Sequence, residues 1–127
     1  MASFTSFEDL EAWRACREVS RWIRSITKYF PQEEWDLKDN ILRAGRSSTR
    51  NVAEGFGRFH FQENIQFCRI SRSSLFEIID DAITAFEEKY IDEADYRARR
   101  DKIAHALKVL NGYIHYLETK KSAPITK

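Results

Sequence analysis

Apolar residues recur every three or four positions along most of the chain, the period of amphipathic helices rather than strands. Phe7, Leu10, Trp13, Cys16, Val19, Ile23, Ile26 and Phe30 form the first such stripe. Ser6 is suited to cap its start, Asp9 favours the same end through the helix dipole, and Pro31 disfavours helical geometry at Phe30 and so closes it. A helix of that length spans roughly 36 Å. Leu37, Ile41, Ala44, Ser48 and Val52 make a second stripe, with Glu33 and Glu34 expected in its first turn, where negative charge is favoured. A third runs from near Phe61 through Ile65, Cys68, Leu75, Ile79, Ala82, Ile83 and Phe86 to Tyr90. Asp92 is a good cap for a fourth, which carries Tyr96, Ile103, Leu107, Leu110, Ile114 and Leu117. Gly112 weakens its last turns by about 1 kcal/mol relative to alanine. Four amphipathic helices on short turns predict an all-α, antiparallel up-down-up-down four-helix bundle, one domain over residues 1–118 with a frayed tail over 119–127.

The second and third stripes meet at Asn51-Val52-Ala53-Glu54-Gly55-Phe56-Gly57-Arg58, which holds two of the four glycines. Gly55 or Gly57 is expected to take the left-handed conformation that closes a helix. A phosphate cradle of the P-loop kind would need a preceding strand and a lysine-serine pair, and the sequence supplies neither. The turn that follows, Phe56 to Phe61, alternates aromatic with basic or polar residues. Stacking of bases would use such a surface, but aromatics plugging the end of the bundle would look the same, and the plug is the favoured reading.

On the second helix Arg43, Arg46 and Arg50 fall within about 60° of one another, opposite the apolar stripe. With Arg58, Arg69 and Arg72 nearby they face few acids, namely Glu54 and Glu63, and Glu54 is a candidate partner for Arg72. These six are the candidate nucleic-acid-binding residues. Such a row neutralises phosphates or pairs with the acidic side of the third helix, Glu77, Asp80, Asp81, Glu87 and Glu88, in the same chain or a neighbour. Arg14, Arg17, Arg21, Arg24 and Lys28 on the first helix read as an ordinary solvated face.

Bulk charge adds nothing to this: 21 Lys+Arg against 20 Asp+Glu leave a net charge of +1 over 127 residues. His60, His105 and His115 do not share one helical face, and no Glu-x-x-His pair of the di-iron kind is present, so no metal or cofactor is expected. No serine has a histidine and a carboxylate spaced to activate it, and an enzyme is not expected. Cys16 and Cys68 have neither metal spacing nor the density of a disulfide scaffold. Without a signal peptide or membrane span in the sequence, a cytoplasmic protein is the expectation.

At the central motif the chain resembles the four-helix bundle proteins of the 23S ribosomal RNA intervening-sequence family, themselves similar to the accessory proteins of diversity-generating retroelements. The residues that carry the resemblance are Phe7, Leu10 and Trp13; Phe30-Pro31 with Glu34 and Leu37; Arg43-Ala44 with Ser47; the octapeptide Asn51 to Arg58; and Glu63, Phe67, Ser74-Leu75 and Glu77. The family pattern differs at Asp36, Asn40, Ser48, Asn64 and Ser73. The resemblance implies a bacterial bundle assembling into a homopentameric barrel with a basic lumen, without enzymatic activity. It further implies association with structured RNA or with a nucleic-acid-handling partner such as a reverse transcriptase.

Overall fold

The computed structural model describes residues 5–122, and these form four α-helices with no strand among them. They are α1 (Glu11–Thr27), α2 (Trp35–Phe56), α3 (Phe61–Glu87) and α4 (Glu93–Ser122), with single 3-10 turns at Phe7–Asp9 and Gln32–Glu34. Cross-helix contacts fix their directions. Along the α2/α3 seam Ser74 Oγ donates to Ser47 Oγ at 2.8 Å and Ser71 Oγ to the Ser48 carbonyl at 2.7 Å, while Gly55 lies against Asn64. Numbers that rise on one helix as they fall on the other mean antiparallel neighbours. The same holds for α3/α4, where Arg72 meets Asn111 and Gln62 meets Lys121, and for α1/α4, where Glu18 meets Lys102 and Trp22 meets Asp95. Three reversals around the ring leave α1 antiparallel to α2.

The predicted apolar stripes supply the core. Cys16, Val19, Ile23, Ile41, Val52, Ile65, Cys68, Leu75, Ile103 and Leu110 are all essentially inaccessible to solvent. Burial also pushes the thiols of Cys16 and Cys68 up, to about 11 and about 12, so neither is a ready nucleophile. The serines of the seam allow the backbones to come close while their hydroxyls bond across it.

The ends of the helices depart from the sequence reading. Ser6 does cap, accepting from the Glu8 N–H at 3.2 Å while its own N–H donates to Asp9, but the helix it opens is only the 3-10 turn. Leu10 is extended (φ −77°, ψ 126°), which breaks the expected continuous helix and turns that side chain into the core. Glu33 and Glu34 lie in the second 3-10 turn, not in the first turn of α2, where Asp36 is the acid. α3 stops at Glu87, short of Tyr90. α4 continues through Ser122, so residues 119–122 are helical and not tail; the rest of the expected tail, 123–127, lies outside the described residues. Asp92 caps α4 as expected, accepting from the Asp95 N–H at 2.7 Å.

No glycine has a positive φ, so neither Gly55 nor Gly57 closes α2 in the left-handed way. Among the described residues the one that does adopt that conformation is Lys89, with φ 66°. Its N–H bonds the Phe86 carbonyl at 3.0 Å and the Tyr90 N–H bonds the Ala85 carbonyl at 2.8 Å, the paired closure of a Schellman motif. A side chain at this position strains the backbone. Lys89→Gly is therefore expected to stabilise the fold by about 1 kcal/mol, read as a higher urea midpoint at unchanged slope.

Candidate nucleic-acid interface

Arg43, Arg46 and Arg50 are all exposed on one face of α2, as their spacing requires. α1 lies alongside and carries Arg17, Arg21 and Arg24 at spacings of four and three, so its own basic row turns toward that of α2. The two rows border a hollow of about 410 Å³ lined by Arg17, Ser20, Arg21, Arg24, Arg46, Thr49 and Arg50, with no acidic side chain in its wall. On the other side of the α2 row a second hollow of about 370 Å³ joins Arg43, Arg46 and Arg50 to Ser47, Ser74 and a single acid, Glu77 of α3.

Among the described residues these arginines are not consumed in ion pairs. The ion pairs among the described residues are Arg58–Glu54 at 3.4 Å, Arg97–Glu93 at 3.5 Å, Arg99–Asp95 at 3.3 Å, Lys102–Glu18 at 3.1 Å and His105–Glu11 at 3.8 Å. None involves Arg17, Arg21, Arg24, Arg43, Arg46 or Arg50. Arg43 donates to Asn40, a neutral side chain, and Arg17 sits 5.9 Å from the centre of the Trp13 ring. Guanidinium groups gathered this way repel one another, and a ligand that brings negative charge relieves the repulsion.

The remaining candidates divide. Arg58 stays with the row: it and Arg50 line a hollow of about 540 Å³ at the C-terminal end of α2 together with Ala53, Glu54 and Gly57. Arg72 turns the other way, donating to Asn111 of α4 at 2.8 Å, so Glu54 is not its partner. Arg69 follows Gln62 by seven residues, hence shares its side of α3, and Gln62 contacts Lys121 of α4. Arg69 and Arg72 therefore belong to the α3/α4 side and do not join the groove.

Besides lining the hollow at the end of α2, the central motif supports this surface from within. Asn51 donates to the Ser47 carbonyl and hydroxyl, both at 2.9 Å, and Glu54 holds Arg58. The Gly57 N–H is shared between the carbonyls of Ala53 and Glu54, ending α2 without a positive φ. At Gly55 the backbone of α2 comes close to α3: a Cβ there would stand 2.5 Å from Asn64 Oδ1 and 3.0 Å from both the Asn64 carbonyl oxygen and Phe67 Cβ.

Asp81 of α3 borders the same region. Burial, then Asp80 and Glu77, push its carboxyl up from an ordinary 3.8 to about 6, with Arg43 pulling the other way. The folded chain keeps this proton over a pH range in which the unfolded chain has lost it, so the ionised carboxylate weakens the fold above about pH 6 and ceases to do so below about pH 4. Asp81→Asn is expected to raise Tm above about pH 6 and leave it unchanged below about pH 4, as thermal melts at the two pH values would show.

A larger hollow, about 1080 Å³, lies elsewhere, between the start of α1 and α4. Its walls mix Asp9 and Glu11 with Arg14, His105, Lys108 and Lys120, and Arg14 already donates to the carbonyls of Glu8 and Asp9. It offers no field of one sign. Among the described residues no three His, Cys, Asp or Glu side chains are grouped to hold a metal ion, and no helix is long and apolar enough to cross a membrane.

Residues 8–112 match the family described as 23S rRNA-intervening sequence protein. The chain belongs to that family. A crystal structure of a protein of unknown function from the S23 ribosomal protein family of Bacteroides thetaiotaomicron superposes with a TM-score of 0.75 at 20% identity, covering 81% of this chain and 97% of the other. At that identity the likeness establishes the shared bundle fold. No curated protein matches. In this intervening-sequence family protein the arginines of α1 are the residues that sequence reasoning passed over. Their four-and-three spacing was visible, but a helical wheel does not say which flank of a helix meets a second basic row.

Proposed function

We propose that this intervening-sequence family protein is a non-enzymatic module that holds structured RNA by its phosphates in the groove between α1 and α2, in the cytoplasm. The observation that carries the reading is the acid-free wall of Arg17, Arg21, Arg24, Arg46 and Arg50, none of them ion-paired within the described residues. Guanidinium groups suit phosphate because their planar donors match two of its oxygens at once. Backbone contact of this kind gives affinity with little sequence preference. Filter binding of a structured RNA at about 50 mM salt, where screening is weak, is the test; absence of binding there defeats the reading.

A second observation favours self-association. Glu77, Asp80, Glu87 and Glu88 are exposed on α3 and enter none of the ion pairs among the described residues. A neighbouring copy could set this acidic side against Arg43 and the α2 row, and a head-to-tail contact of that type closes into a ring, five copies being the number the family resemblance implies. Light scattering at micromolar concentration decides this: a monomer mass rejects it. Should replacing Arg43, Arg46 and Arg50 by alanine dissociate an oligomer while the wild type binds no RNA, the arginines serve a protein scaffold instead.

A further inference from the structure

Past the end of α2 the chain turns through Arg58, Phe59 and His60 before α3 begins at Phe61. The expected aromatic plug is not formed there. Phe59 is 94% exposed and Phe61 45%, while Phe56 is only partly buried. His60 stands at right angles to the Phe59 ring with centroids 5.3 Å apart. Arg58 is held in place, its guanidinium 4.7 Å from the centre of the Phe67 ring and 3.4 Å from Glu54. The bundle thus leaves a large apolar ring in water beside an anchored cation.

Its position gives the ring a use. Arg43, Arg46 and Arg50 follow one another down α2 over roughly 10 Å of helix axis, and Arg58 and Phe59 come in the chain just past its end. A strand held along that row by its phosphates runs toward the end of α2, where the turn that carries the ring begins. We propose that Phe59 is a stacking platform for one unpaired base, so that the RNA held by this protein presents a single-stranded nucleotide next to the tract gripped by the arginines. This rests on the phosphate-binding reading of the groove. A base fits the site because every base offers a flat π-face, whereas the paired bases inside a duplex are already stacked and out of reach. Arg50 and Arg58, which line the hollow at the end of α2 just before the ring in the chain, favour an anionic ligand, and the acid of that hollow, Glu54, is taken up by Arg58.

The test compares a single-stranded RNA with a blunt duplex carrying the same number of phosphates, on wild type, Phe59→Ala and Phe59→Trp. Phe59→Ala is expected to weaken single-strand binding about tenfold, to leave duplex binding and its salt dependence unchanged, and to melt like the wild type, since the ring is outside the core. Phe59→Trp restores single-strand binding. Equal single-strand affinity for wild type and Phe59→Ala overturns the proposal while leaving the groove reading intact. So does a smaller particle mass for Phe59→Ala with RNA affinity unaltered, because the ring then packs against a second copy. If the wild type binds neither RNA, the groove reading has failed and this proposal with it.

Discussion

Gly55→Val is expected to destabilise the bundle by about 3 kcal/mol, a large part of the roughly 5–15 kcal/mol that holds a domain of this size. The cause is space rather than backbone freedom. A single added carbon already stands 2.5 Å from Asn64 Oδ1 and 3.0 Å from the Asn64 carbonyl oxygen, and a backbone carbonyl in the first turn of α3 cannot swing aside as a flexible side chain does. α2 and α3 must separate, which would also strain the bond from the Asn64 amide to the Tyr113 hydroxyl, now 3.1 Å. Alanine makes the cause testable. By intrinsic propensity Gly→Ala inside a helix stabilises by about 1 kcal/mol. Gly112, where an added Cβ meets nothing within 4 Å, should show that gain, whereas Gly55→Ala should show a loss. Urea unfolding of the two variants decides the matter: gains at both positions would mean that the seam is looser than the structure shows.

Replacing Arg46 and Arg50 together by alanine is expected to flatten the salt dependence of RNA binding. If the groove neutralises three to five phosphates, log K falls against log salt with a slope of about −2 to −5, and removal of two contacts reduces that slope by about 1.5. Both side chains are exposed, so helical content and Tm should hold. Arg17→Ala with Arg21→Ala, on the other helix, should act in the same direction and by a similar amount. Arg69→Ala is the control, because it faces the α4 side of α3 and should leave the slope alone. A groove variant that binds with the wild-type slope, or an Arg69→Ala variant that loses as much, would falsify the assignment of phosphate contacts to the α1/α2 groove.

The sequence by itself determined the helices and their inward faces. Ile23, Ile41, Leu75 and Leu110 had to be buried because a period of 3.6 residues gathers them on one side, and Arg43, Arg46 and Arg50 had to be exposed for the same reason. The local cap at Asp92 was legible too, since its chemistry involves only the three residues that follow. What the period cannot express is which helix stands beside which. That choice depends on how four apolar stripes interlock, and it alone set Arg17, Arg21 and Arg24 against the α2 row while sending Arg69 and Arg72 to the far side. Gly55 was noticed for the wrong property: its meaning lies in the distance between two backbones, a quantity fixed by packing across the seam. The extended Leu10, the left-handed Lys89 and the exposed Phe59 share that origin. In each, the long-range arrangement of the bundle overrode what the residue type favours locally, burying Leu10, holding Lys89 in a closure that glycine suits better, and leaving Phe59 in solvent beyond the end of the core.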